Sequence, residues 1–243
     1  MSVRTPGAPA PGAARARATR TKGPESRRPG TAAAFATLTP ARREALRADC
    51  ARLAELDDTD FGIRLLGNTP THETRDEALL HHWATTATEF GRELAAGAPP
   101  AAAGHGTRVV ETAGGLDRFL LARYTSRPVP TVELFTDTIA LGEHLVDVLG
   151  WRDLYPTGAL RSAALAHEHA HCLLHRDPRT RRALRDRLGH TALRLGRLRV
   201  PGHVAGADEL AAHAYAGALC GLGRSPLLLT AALVSAVQAL GED

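Results

Sequence analysis

At 243 residues the chain has room for one generous domain, or one domain with a smaller helical attachment, and 44% apolar content supports a sizeable core. Aromatic side chains make up only 4%, so Leu, Ala and Val must do the packing, which favours closely apposed Ala-rich helices over a β-sandwich. Within the formal charge of +4, seven basic side chains in residues 1–40 (Arg4, Arg15, Arg17, Arg20, Lys22, Arg27, Arg28) face one acid, Glu25, which leaves residues 41–243 at a net −2 and makes the basic charge weak evidence for a nucleic-acid-binding fold.

Residues 1–38 are rich in Pro, Ala, Gly and Arg without periodicity, and are expected to form a disordered basic tail. A solvated tail is the favoured reading; nucleic-acid contact by a basic arm is the weaker one. At Thr39 the pattern changes. Thr39 followed by Pro40 reads as an N-cap with proline in the first turn, and Leu46, Cys50, Leu53 and Leu56 recur at helical spacing. A second helix is expected from Thr74 or Asp76 to about Ala95, and the Ala/Pro/Gly-rich stretch 97–106 reads as a linker.

Residues 107–112 and 118–124 have strand character and flank Gly114-Gly115, which predicts a β-hairpin, and residues 131–135 predict a further strand. Helices are expected over 138–149 and 158–175, the second ended by Asp177-Pro178, and within 179–199 to about Leu195. Two Ala/Leu-rich helices, 208–222 and 226–240, close the chain. The expected fold class is α+β, mostly helical with a small β-sheet, divided into a tail (1–38), a helical N-terminal segment (39–100) and a C-terminal domain (101–243). No run approaches the ~20 apolar residues that span a bilayer, so no membrane partner is expected. Cys50, Cys172 and Cys220 form no C-x-x-C pair, which points to a reducing compartment and hence to the cytoplasm.

The chemistry is concentrated in His167-Glu168-His169-Ala170-His171, which fits H-E-x-x-H. Residues four apart lie one turn up on the same helix face, so both imidazoles reach one ion, and Glu168 can stand beside it as a base. His169 points to a different face. A catalytic zinc takes three protein ligands and keeps a fourth position open. Asp177 lies where a metzincin places its last ligand, but Leu174 stands where that arrangement needs glycine, and the only methionine is Met1. His175 is two turns, ~12 Å, from His167 along a straight helix and reads as a supporting or packing residue. Glu209, on a separate helix among small residues, completes a His₂Glu set, with Asp208 as its nearest rival.

Ala166-His167-Glu168-x-x-His171-x-Leu173-Leu174-His175, followed by Glu209-x-x-Ala212-x-x-Tyr215-Ala216-x-x-Leu219, resembles the ImmA/IrrE and ArdC-like zinc metallopeptidases, a gluzincin-type group. The resemblance covers roughly residues 130–225. It implies a zincin-like metallopeptidase domain, a Zn2+ cofactor held by His167, His171 and Glu209, and Glu168 as base. Within that group, members are known for cleaving transcriptional repressors or are associated with single-stranded DNA. His213 replaces the usual Asp or Asn, and Cys220-Gly221 replaces the usual Leu-Met-Pro ending.

The function expected is therefore a metallopeptidase acting on a protein or peptide substrate. Zinc lowers the pKa of a bound water to ~7, and Glu168 takes its proton and returns it to the leaving amine. Tyr215, His213 and His203 are the candidates for the oxyanion partner, with Tyr215 taken as the catalytic one. The alternatives are a zinc enzyme acting on a non-peptide small molecule and a non-catalytic regulatory zinc protein. A cleft beside an edge strand favours the peptidase, a small closed pocket the small-molecule enzyme, and a four-ligand site the regulatory protein.

Overall fold

A computed structural model describes residues 35, 38–98, 107–196 and 198–241. The expectations for residues 1–34 and for most of the 97–106 linker lie outside the described residues. Among those described, the chain is mostly helical, with eight α-helices and two small sheets.

Helix α1 (Pro40–Glu55) begins as its sequence predicts: the Thr39 hydroxyl accepts the Arg42 N–H at 3.3 Å and Pro40 opens the first turn. Helix α2 (Asp58–Gly67) was not anticipated. Its signal is a capping box in which Asp57 accepts from the Asp60 N–H at 2.8 Å and Asp60 accepts from the Asp57 N–H at 2.9 Å. Helix α3 (Glu77–Ala96), capped by Asp76, buries Leu80, Trp83 and Phe90.

The first sheet contains β1 (Arg108–Thr112), β2 (Ala122–Thr125) and β3 (Thr131–Phe135) in the order β1-β3-β2. The hairpin expected across Gly114-Gly115 is not formed. β1 runs parallel to β3, while β2 pairs antiparallel with β3 on its other side. Two forces override the turn signal. Asp137 accepts the backbone N–H groups of Gly114 (2.8 Å), Gly115 (3.1 Å) and Leu116 (3.5 Å), folding the connection into a 3₁₀ turn (Leu116–Arg118) that carries the chain away. β3 offers the most buried set, Val132, Leu134 and Phe135, and takes the centre. β2 is left at the edge.

Helix α4 (Thr136–Leu149) is followed by α5 (Ala159–Arg176) and α6 (Pro178–Leu188), with Asp177 ending α5 and capping α6. The helix expected to reach Leu195 stops earlier, at Gly189 in the left-handed conformation (φ 64°), where a side chain would be strained. The residues beyond it alternate rather than repeat every 3.6 positions. They form an antiparallel pair, β4 (Thr191–Leu195) with β5 (Leu198–Pro201), that the sequence reading missed. Helices α7 (Ala207–Leu219) and α8 (Pro226–Gly241) complete the order.

The core has two larger centres. One joins Leu46 and Cys50 of α1, Leu141 and Leu145 of α4, Tyr155, and Leu229 and Leu233 of α8. The other joins Trp83 and Phe90 of α3 to Leu184 of α6 and Leu210 of α7, and the Trp83 indole N–H donates to the Leu188 carbonyl at 3.1 Å. Between them α5 and α7 meet along a seam of small residues, with Ala163, Ala166 and Ala170 against Ala212, Tyr215 and Ala216. Gly91 brings α3 against the backbone of Ala211 on α7. The N-terminal helices therefore brace the pair of helices that carries the chemistry. Among the described residues, no helix is long and apolar enough to cross a membrane.

Candidate metal centre

The Ala-rich flank that makes α5 a buried helix also turns the His167-Glu168-x-x-His171 stripe toward a cavity of about 390 Å³. His167, Glu168 and His171 line it from α5, and Glu209 and His213 line it from α7. The alanine seam lets the two helices approach closely enough for the side chains to meet. The Nε2 atoms of His167 and His171 lie 3.1 Å apart. Glu209 spans them, its Oε1 3.2 Å from His167 Nε2 and its Oε2 3.1 Å from His171 Nε2.

These separations test whether a metal fits. Ligands ~2.0–2.1 Å from a tetrahedral zinc stand about 3.3 Å from one another. The two imidazole nitrogens stand 3.1 Å apart and each meets its own oxygen of the Glu209 carboxylate at 3.1–3.2 Å, so two imidazoles and one carboxylate gather the chemistry of a three-ligand site around one point. His167, His171 and Glu209 are a group that could hold a metal ion.

The electrostatics agree with a cluster built around charge. Burial lowers the pKa of His167, and the neighbouring His213 lowers it further, favouring the neutral ring that a metal requires. His171 is also disfavoured in its charged form by burial, but its hydrogen bond to Glu209 and the Glu209 charge outweigh that and raise its pKa. Burial alone would raise the Glu209 carboxyl; hydrogen bonds from His167, His171 and His213 overcome it and hold the group well below the usual carboxylate range. Glu209 is therefore an anion over the whole working pH range. Glu168 lines the same cavity, and no hydrogen bond or ion pair among the described residues ties up its carboxylate.

His213 is the residue whose part the sequence understated. It lies four positions after Glu209 and so on the same face of α7, with Nε2 3.2 Å from Glu209 Oε1 and its ring 4.5 Å from that of His167. A hydrogen bond from His213 orients the Glu209 carboxylate, the supporting role that partners of metal ligands commonly play. The spacing was legible; its contact with His167, across two helices, was not.

Other expected residues fall elsewhere. Tyr215, expected as an oxyanion partner, is not brought to the cavity. Six positions past Glu209 is about 240° around the helix, and the ring is buried in the α5–α7 seam, 6.1 Å from the His169 ring. His169 accordingly faces away from the cluster, as its position in the motif predicts. Asp177 is engaged as the cap of α6, accepting from Arg179 and Thr180 N–H groups at 3.0 and 3.2 Å. His203 is exposed and borders a different cavity with His175 and Arg181.

Asp208 pairs with His175, Oδ2 to Nε2 at 3.9 Å, and these two with His171 form a second group of potential ligands. Because His171 is common to both groups, they are alternatives. The Glu209 group is the tighter, and it excludes more water: the His175 side chain is 63% exposed against 16% and 18% for His167 and His171.

One wall of the cavity is made by six consecutive residues, Phe119 to Tyr124, running into and along β2. Three of these, Ala122 to Tyr124, belong to β2, and among the described residues β2 pairs with β3 alone, so the cavity lies beside an edge strand. Compared with models of known protein families, with curated proteins and with solved structures, the chain matches none.

Proposed function

We propose that the chain is a zinc-dependent metallopeptidase of the gluzincin type, with a zincin-like domain akin to the ImmA/IrrE and ArdC-like group. The observation that carries this reading is the His167–His171–Glu209 cluster sharing its cavity with Glu168 and with β2, an edge strand among the described residues. Two neutral imidazoles and a carboxylate would hold Zn2+ with a position left for the reaction. When bound, that ion supplies Lewis acidity toward a water and a carbonyl oxygen.

The chain's own groups do the rest. The side of β2 that no described strand pairs would align an extended peptide as an added strand, which sets its carbonyl against the cluster. Glu168 accepts the proton of the attacking water and delivers it to the departing amine, a transfer worth roughly 10²–10⁴ in rate. His213 keeps the Glu209 carboxylate in register. A pocket for a small molecule needs no strand edge, so the edge favours the peptidase over a small-molecule enzyme. A purely structural zinc needs a fourth ligand and no base; His213 reaches Glu209 rather than joining the ligand group.

The test is zinc content beside cleavage. Wild type carries near-stoichiometric zinc and cleaves peptides; His167→Ala and Glu209→Ala lose the metal; Glu168→Gln keeps it and loses cleavage. Wild type purified from zinc-supplemented medium without metal would refute the reading, as would full activity in Glu168→Gln.

A further inference from the structure

The cavity extends well past the metal cluster. Its far end is walled by Leu160, Ala163 and Ala164, which lie on α5 before His167, and by Leu229 of α8. Two polar side chains also reach it, and both are satisfied internally. The Tyr155 hydroxyl donates to the Ser225 carbonyl at 2.8 Å, and the Thr230 hydroxyl donates to the Pro226 carbonyl at 3.0 Å. Arg123, on the strand wall, is paired across the sheet with Glu133 at 2.6 Å. The chamber therefore offers an occupant apolar surface and no unspent charge or donor at its far end. A charged or amide side chain placed there would lose its water without compensation.

At the rim stands Phe119, 52% exposed, with φ 54°. Both features are costly for a phenylalanine: the left-handed backbone is strained for a residue with a Cβ, and the ring gains little from burial. The loop nevertheless holds it there. Asp137 pins the preceding N–H groups, and the Leu120 N–H bonds back to the Gly115 carbonyl at 3.1 Å. A strained residue held rigidly at a cavity mouth is a feature that function, rather than packing, accounts for.

We propose that the chamber receives a large apolar side chain, of the size of Leu, Met or Phe, from a residue flanking the scissile bond, and that Phe119 closes over it as a specificity determinant. This rests on the peptidase reading and names its substrate class: extended peptides with a bulky apolar residue beside the cleaved bond. A volume of about 390 Å³ is about thirteen times the ~30 Å³ share of one water, enough for backbone and a large side chain together.

The experiment digests a mixture-based peptide library with zinc-loaded wild type, Phe119→Gly and Ala164→Leu. In parallel, binding of a blocked peptide series carrying Gly, Ala, Asp, Leu or Phe at the flanking position is measured on zinc-loaded Glu168→Gln. Glycine accepts the φ of residue 119, so Phe119→Gly removes the ring without strain, and zinc content and thermal midpoint verify each variant. The expected result is a preference for Leu or Phe over Gly and Asp of at least about ten-fold, in cleavage and in binding. Phe119→Gly should lower that preference about ten-fold. Ala164→Leu fills the chamber and should move the optimum to Ala or Gly. Cleavage without side-chain preference, or a preference that both substitutions leave intact, overturns the chamber proposal while the peptidase reading stands. Zinc-loaded protein that neither cleaves nor binds any peptide overturns both.

Discussion

The contact between α3 and α7 makes the position of Glu209 depend on a residue far from the motif. At Gly91 an added Cβ would lie 2.2 Å from the Ala211 carbonyl oxygen, 2.9 Å from its carbon and 2.9 Å from the Ala214 Cβ. Ordinary contact begins near ~3.5 Å, so Gly91→Ala must part the helices by roughly 1 Å. Alanine in a helix interior is better than glycine by about 0.5–1 kcal/mol. Overpacking a well-filled interface costs about 1–3 kcal/mol. The net expectation is a loss of about 1–2 kcal/mol, or roughly 3–6 °C in thermal midpoint for a chain of this size. Ala211 is two residues past Glu209 on the same helix, so the shift also pulls the carboxylate from two imidazoles it meets at 3.1 and 3.2 Å. Zinc affinity should fall at least about ten-fold, the lower end of what loss of ligand support costs. Urea unfolding of metal-free protein gives the first number and competition with a zinc chelator the second. Gly67→Ala is the control, since its Cβ meets only Leu80 Cδ1 at 3.7 Å. A Gly91→Ala protein more stable than wild type, with unchanged zinc affinity, would refute the helix contact and the dependence of the site on it.

Zinc binding should release protons just above pH 6.5, because His171 is raised by Glu209 and must lose its proton to ligate, whereas His167 is lowered by burial. Calorimetry in buffers of different ionisation enthalpy measures this; no release just above pH 6.5 contradicts the assignment. In the metal-free protein the His171 contribution is fully present below its unfolded pKa of ~6.5 and lost as pH rises through its higher folded value, while that of Glu209 is present above ~4.3 and lost as pH falls through its depressed one. Metal-free stability should therefore decline as pH rises above about 6.5, and Glu209→Gln should flatten the decline. For Asp137, burial opposes ionisation but four backbone N–H bonds depress its pKa, so its contribution is present above ~3.9 and lost as pH falls through the lower folded value. Asp137→Ala should cost about 1–2 kcal/mol at pH 7, discounted for partial exposure, with the difference from wild type vanishing at strongly acid pH in urea titrations. An unchanged midpoint at pH 7 would mean that the Phe119 loop is held by something else.

What the sequence disclosed and what it withheld divide along a physical line. The ends of α1, α3 and α5 were legible because caps and breakers act over three or four residues: Thr39 with Pro40, Asp76, and Asp177 with Pro178. The same locality made His167, Glu168 and His171 readable as one helix face. The β1–β2 hairpin failed because its turn signal competed with a tertiary one, the Asp137 carboxylate reaching back more than twenty residues to the Gly114-Gly115 backbone. The helix run on to Leu195 failed because the arginine-rich stretch has too few apolar positions to set a period, leaving Gly189 as an unheeded stop. Tyr215 was attractive through its nearness in sequence to Glu209, yet helical rotation points the two in different directions.

The composition that looked unremarkable turns out to serve the site. With 4% aromatic residues the chain fills little of its interior with large rings, and alanine dominates the seam between α5 and α7. A seam of methyl groups has little capacity to absorb displacement, since small side chains have no rotamers through which to repack. That rigidity holds Glu209 within hydrogen-bond distance of two imidazoles on another helix, a tolerance of about 0.5 Å that metal sites demand. Leu160 and Leu229, themselves packed in the core, border the cavity beyond the cluster. Small residues where helices must meet and where the cavity is walled place the fold and the proposed specificity in a single pattern along α5. Alanines bind it to α7 through residues 163, 166 and 170, and the same helix, one turn before His167, turns Ala163 and Ala164 toward the cavity. Enlarging Ala164, on the chamber wall and outside the seam, should therefore change which peptide is accepted, whereas enlarging Ala166 or Ala170, in the seam and off the wall, should displace the metal ligands themselves.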